Sequence, residues 1–203
     1  MSSSSRSANP RIIVLNGSLG GSSGNTGAVL SLLVKELAGR AEVHEVSLSE
    51  SYDLTQVLEQ ISKSQGVVVA TGTYWDSWGS PLQRFLEDAT DHEASDTWLG
   101  KPAAVLVTMH SVGGKEVLSR LQGVLGTLGC LIPPMSGLTY SLANHLALKG
   151  ERSPFHDDLW QLPDLKVIAS NLLAASALSA SAGAAWTSWP VDSGDPRRKW
   201  FSV

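Results

Sequence analysis

The stretch from Arg11 to Leu30, RIIVLNGSLGGSSGNTGAVL, concentrates residues whose types and spacing suit one kind of chemistry. Ser18, Ser22, Ser23, Asn25 and Thr26 crowd a glycine-rich loop between an apolar run and a helical pattern. Hydroxyls beside the backbone N–H groups of a helix start form a cradle for an anion, and they do so without a Lys. The loop therefore predicts a phosphorylated ligand. A second group, Thr73, Tyr74, Trp75, Asp76 and Ser77 in GTYWDSWGS, sets large aromatics among small polar residues. Such a loop suits stacking on a flat heteroaromatic ring; the alternative is that the aromatics cover the core. A third, HSVGGK, offers His110, Ser111, Gly113 and Gly114. Its two glycines either let the backbone approach a ligand or make a tight helix entry. His110 either hydrogen-bonds a ligand or caps the next helix, and Asp76 either meets a hydroxyl or closes a turn.

Positioning these loops requires a scaffold, and the apolar pattern supplies one. Ile12 to Leu15, Val67 to Ala70 and Ala103 to Val107 are unbroken apolar runs, as expected of strands buried on both faces of a parallel sheet. Val43 to Leu48 alternates and reads as an edge strand. Cys130 to Ile132 is expected to be the last strand, stopped by Pro133 and Pro134. Helical stripes separate them: Val29 to Leu37, Leu54 to Ile61, Pro81 to Ala89 and Val117 to Leu128. Ser136 to Glu151 reads as a crossover loop and Asp164 to Ala182 as a final helix opened near Pro163. Strict βα alternation gives an α/β fold, a doubly wound five-stranded parallel sheet with helices on both faces. An edge strand second in sequence beside a central first one matches the flavodoxin-like order 2-1-3-4-5, whose ligands sit where the order reverses.

Composition narrows the function. A net charge of −4 offers no broad basic surface for nucleic acid, and only Arg197, Arg198 and Lys199 cluster. Cys130 is the sole cysteine, which excludes an intrachain disulfide and a four-cysteine zinc site and fits a reducing, cytoplasmic compartment. The five His form no HExxH, so no metal is expected. No stretch reads as a membrane span, since Val167 to Ala185 is interrupted by Asn171 and several Ser. Residues 1–10 read as a disordered leader, 11–183 as the domain, and 184–203 as a tail with Trp186, Trp189 and Trp200, expected to pack on a neighbouring subunit or on its own domain. GGSSG matches G-x-S-x-G, but a hydrolase elbow follows a later strand, and neither a Walker A Lys nor G-x-G-x-x-G is present.

Three segments in order, GSLGGSSGNT, TGTYWDSWGSPLQRFLED and KPAAVLVTMHSVGG, resemble the NADPH-dependent FMN reductase family over about residues 11–135. Gly17, Ser18, Asn25 and Thr26 match its phosphate loop, which here is slightly longer, so that either Ser22 or Ser23 is the one at the phosphate. Thr73, Gln83 and Glu87 stand where the family often has Pro, Lys and Asp. The resemblance implies FMN as cofactor, with Ser18, Asn25 and Thr26 at the phosphate, the 73–77 loop around the ring, and His110, Ser111, Gly113 and Gly114 at its other edge. It also implies NAD(P)H as co-substrate, a small acceptor such as a quinone or flavin, and a homodimer or homotetramer with its flavin pocket at a subunit interface. With the chemistry carried by the flavin, no catalytic side chain is expected. The alternatives are a flavodoxin-type electron carrier, disfavoured by the modest charge, and a binder of another phosphorylated ligand, disfavoured by Tyr74 and Trp75.

Overall fold

The structure is a computed structural model that describes residues 9–150, 160–181 and 186–190. Five strands, β1 (Arg11–Asn16), β2 (Glu42–Ser47), β3 (Gly66–Gly72), β4 (Ala103–Met109) and β5 (Gly137–Ser141), form one parallel sheet in the order β2-β1-β3-β4-β5. The helices are α1 (Asn25–Leu37), α2 (Leu54–Lys63), α3 (Ser80–Asp88), α4 (Gly114–Leu128), α5 (Leu142–Leu148) and α6 (Leu165–Ser181). This is the flavodoxin-like architecture expected from the alternation.

The unbroken apolar runs explain the two cores. In β1, β3 and β4 successive side chains point to opposite faces, so Ile13, Leu15, Val67, Val69, Val105 and Val107 pack with α2, α3 and α4. Ile12, Val14, Val68, Ala70, Ala104 and Leu106 pack with α1 and α6. Strand β2 is an edge with no fully buried residue, as its alternation predicts.

The last strand is a correction. Cys130 to Ile132 contributes only an isolated bridge between Leu131 and Pro102, while β4 pairs with Gly137–Ser141. The two prolines lack the N–H that a ladder needs, so the chain passes them before it enters the sheet. The segment expected to be a crossover loop is therefore β5 followed by α5. The final helix runs to Ser181, opened by a 3-10 turn at Leu162–Asp164 with Pro163 inside it.

Residues 1–8 of the expected leader lie outside the described residues, whereas Pro10 already accepts a hydrogen bond from Glu42 N–H. Of the tail, Trp186 lies against Gly100, where an added Cβ would approach its Nε1 to 2.2 Å, and Trp189 Nε1 donates to Glu93 at 3.2 Å. Trp200 lies outside the described residues. No described helix is long and apolar enough to cross a membrane, and no described group of His, Cys, Asp and Glu is arranged to hold a metal.

Candidate functional site

Three loops leave the carboxyl ends of β1, β3 and β4, the strands around the point where the sheet order reverses, and they touch. The first follows β1. Asn16, buried at the strand end, accepts from Ser18 Oγ at 2.8 Å and from Ser18 N–H at 3.2 Å, which turns the chain sharply. A short 3-10 turn, Gly21–Ser23, then leads into α1. Gly27 is required here, since a Cβ would lie 2.3 Å from the Ser22 carbonyl oxygen. The N-cap, Gly24, gives α1 no side-chain hydrogen bond. Its first-turn N–H groups, which have no partner within a helix, therefore stay open to water or an anion.

The second loop follows β3. Tyr74 and Ser77 exchange backbone hydrogen bonds of 2.8 and 3.0 Å, while Trp75 and Asp76 between them have φ of +49° and +56°. Two left-handed residues inside such a bridge make a type I′ turn, a geometry that favours Asn-Gly. Arg120 braces it, donating to the Asp76 carbonyl at 3.1 Å and lying over the Trp78 ring at 5.0 Å. Trp75, left outside, is 99% exposed.

Contacts between loops fix their relation. Tyr74 OH accepts from Leu19 N–H at 3.3 Å. A Cβ at Gly17 would lie 2.4 Å from Leu82 Cβ, and one at Gly79 2.7 Å from the Gly17 carbonyl oxygen. On the third loop, Gly113 caps α4 at φ +86°, and a Cβ there would meet Asp76 Oδ1 at 2.3 Å. Its close approach is to the second loop.

Between these loops, α1 and the β5–α5 corner lies a cavity of about 520 Å³. Of the residues singled out by sequence, Ser18, Asn25, Thr26, Thr73, Tyr74 and His110 line it. Ser22, Ser23, Trp75, Asp76, Ser77, Ser111, Gly113 and Gly114 do not. Ser22 and Ser23 face solvent, with Ser23 Oγ donating to the Gly20 carbonyl. Thr26 Oγ1 is buried 2.7 Å from Thr108 Oγ1. His110 is exposed at the rim, and its carbonyl accepts from Ala143 N–H at 3.0 Å.

Sequence reasoning missed Thr108, Tyr140, Ser141 and His145, all of which line the cavity. Thr108 extends the apolar run of β4 by one residue and was readable as a strand end facing the site. Tyr140 and His145 belong to the misplaced fifth strand and its helix. Burial pushes the Tyr140 hydroxyl pKa up. Cys130 lies beyond the amino-terminal end of β4, next to the Leu131–Pro102 bridge, its thiol pushed up to about 12 by burial, against the opposing pull of Lys101. It is therefore inert as a nucleophile.

The donor set fits a flavin nucleotide monophosphate. The cavity presents an uncapped helix start with Asn25 for an anion, beside a Ser18 held by Asn16. The wall also carries Thr73 and Tyr74 with the apolar Met109 and Leu142, a mixed surface that suits a flat ring with a polar edge.

Residues 10–145 match the model of a family described as NADPH-dependent FMN reductase. No curated protein matches the sequence. Among solved structures, the chain is similar to RosB with bound 8-demethyl-8-formylriboflavin-5′-phosphate, at 18% identity and TM-score 0.66, over 95% of this chain and 96% of that one. It is similar to FerB, a flavoenzyme NAD(P)H:(acceptor) oxidoreductase from Paracoccus denitrificans, at 19% identity and TM-score 0.56, over 84% and 97%. A flavodoxin from the domain Archaea matches at 14% identity and TM-score 0.58, over 82% and 99%. At these identities the likeness is one of fold.

Proposed function

This chain belongs to the NADPH-dependent FMN reductase family, flavin-dependent oxidoreductases with FMN as cofactor and NAD(P)H as reductant, and on that premise we propose that its electrons go to a small acceptor, a quinone or a second flavin. The observation that carries the reading is the cavity at the sheet reversal, where an uncapped helix start and the Thr73–Tyr74 pair line one space. FMN, when bound, would supply the hydride and electron transfer. The protein's residues do the placing. Asn25 and the first-turn N–H groups of α1 hold the phosphate, with Ser18 tied to Asn16 and Thr26 to Thr108 around them. Thr73 and Tyr74 set the ring's height above the sheet, because Tyr74 is tied to Leu19 and Thr73 N–H donates to the Thr108 carbonyl at 2.7 Å. His110 borders the open side.

Anaerobic addition of NADPH or NADH to the FMN-loaded protein is expected to bleach the visible flavin absorbance within minutes. Persistence of the colour with both nucleotides, with FMN demonstrably bound, would favour an electron carrier instead.

The same reading places a second subunit over the cavity mouth. Leu19, Trp75 and Val112 stand on the three converging loops and are 54%, 99% and 75% exposed, a grouping of apolar side chains that solvent does not favour. The variant Trp75→Asn keeps the turn, since Asn tolerates positive φ, while it removes the largest apolar group. Sedimentation should show a weaker dimer or tetramer. An unchanged mass would place the interface elsewhere.

A further inference from the structure

On the cavity wall formed by the β5–α5 corner, Tyr140 OH lies 3.0 Å from His145 Nδ1, with the two rings edge to face at 6.0 Å. In the β4–β5 register Tyr140 stands opposite Thr108, whose hydroxyl meets Thr26 at the start of α1. The phenol therefore rises from the same face of the sheet as the cradle. Leu142 and Leu162 line the cavity with the pair, so an apolar ring with a polar edge finds both kinds of surface there.

We propose that Tyr140 donates a proton to a carbonyl oxygen of the electron acceptor, and that His145 orients the phenol and reloads it. The inference rests on the acceptor reading above, with a quinone as substrate class. A quinone becomes a hydroquinone by gaining one hydride equivalent, which NAD(P)H supplies, and one proton. As the Tyr140 O–H bond breaks, the new O–H bond forms on the acceptor oxygen. The phenolate takes the proton from His145 Nδ1 while Nε2 takes one from solvent, so the net reaction is quinone plus NAD(P)H plus a proton to hydroquinone plus NAD(P)+. A side-chain acid with a positioned partner commonly contributes about 10²–10⁴-fold to such a step. A purely structural pair, pinning α5 to β5, would contribute nothing to it.

The test compares two acceptors on Tyr140→Phe and His145→Gln. p-Benzoquinone needs the proton, and ferricyanide, a one-electron oxidant, does not. The ratio of benzoquinone to ferricyanide turnover is expected to fall by about tenfold or more in Tyr140→Phe, with a smaller fall in His145→Gln. The solvent deuterium isotope effect on the benzoquinone reaction should grow in Tyr140→Phe, because the slowed step is then proton delivery from solvent. In the FMN-free protein, nitrogen-15 NMR should show the His145 ring signals move on Tyr140→Phe. A ratio equal to wild type, including the case in which both acceptors slow together, overturns the proposal, and so does an unmoved His145 signal. If NAD(P)H fails to reduce the wild-type flavin, the functional reading falls separately. Reoxidation of dithionite-reduced protein by the two acceptors still reads the ratio.

Discussion

Asn25→Asp is expected to weaken FMN binding by ten- to hundredfold while leaving the fold as stable as before, or more so. Asn25 is the first residue of α1, exposed at the cavity wall, behind a Gly24 cap that offers no side-chain hydrogen bond. A carboxylate in the first turn of a helix is stabilised by about 0.3–1 kcal/mol through the oriented peptide dipoles. A loss of affinity thus cannot be attributed to unfolding. The same carboxylate occupies the place proposed for a phosphate and exchanges a donor amide for an acceptor. Losing one charge-assisted hydrogen bond costs about 1.5–3 kcal/mol, which is roughly ten- to hundredfold in Kd. Flavin fluorescence titration measures it. Riboflavin, which has no phosphate, should bind both proteins equally. Equal FMN affinity in the two proteins would move the phosphate away from α1.

The largest stability loss is expected from Trp98→Ala. Trp98 lies between α3 and β4 with its side chain fully buried, edge-on to Phe85 at 6.3 Å, and Phe85 in turn meets Tyr52 at 6.2 Å. These rings join α3, the helix that carries the second site loop, to the core beneath α2 and α4. Truncating a buried Trp costs about 3–5 kcal/mol from lost burial and the cavity left behind. The Trp98 Nε1 is buried with no hydrogen-bond partner, so its removal returns a little of that cost. In a domain of this size each kcal/mol is worth about 2–4 °C in Tm, and a fall of roughly 6–20 °C follows. Trp98→Phe should recover most of it. A Tm within about 2 °C of wild type in Trp98→Ala would mean that the aromatic chain does not anchor α3.

Sequence pattern is most legible where burial is two-sided. The runs in β1, β3 and β4 are apolar at every position because both faces are covered, and their length and β-branched content read as central strands. Strand β5 escapes because it is short, opens on a glycine and carries Thr139, Tyr140 and Ser141 toward the cavity and sheet edge, a composition that reads as a loop. Cys130 to Ile132 misleads because a brief apolar run fits both a strand and a chain packing beneath one. Tyr140 and His145 are invisible for the same reason, since a pair five residues apart has no spacing signature until a strand and a helix are known to meet between them. Trp75 shows the opposite failure. Its type suggests a stacking partner, but only the turn geometry, two left-handed residues in succession, reveals that the ring is turned to solvent. Thr26 looks like a free hydroxyl from sequence, and the contact that engages it comes from Thr108, a strand distant in sequence.

The meeting of Gly17, Gly79 and Leu82 has a consequence for how such proteins can be recombined. The first loop passes so close to the start of α3 that neither has room for one more methyl group. A phosphate loop transplanted from a relative with a larger residue at position 17 would collide with the resident Leu82. A transplanted ring loop that does not keep position 79 small would collide with the resident Gly17 backbone. The workable unit of exchange is both loops together with the first turn of α3, so chimeras cut between residues 30 and 70 are expected to separate halves that must travel as one.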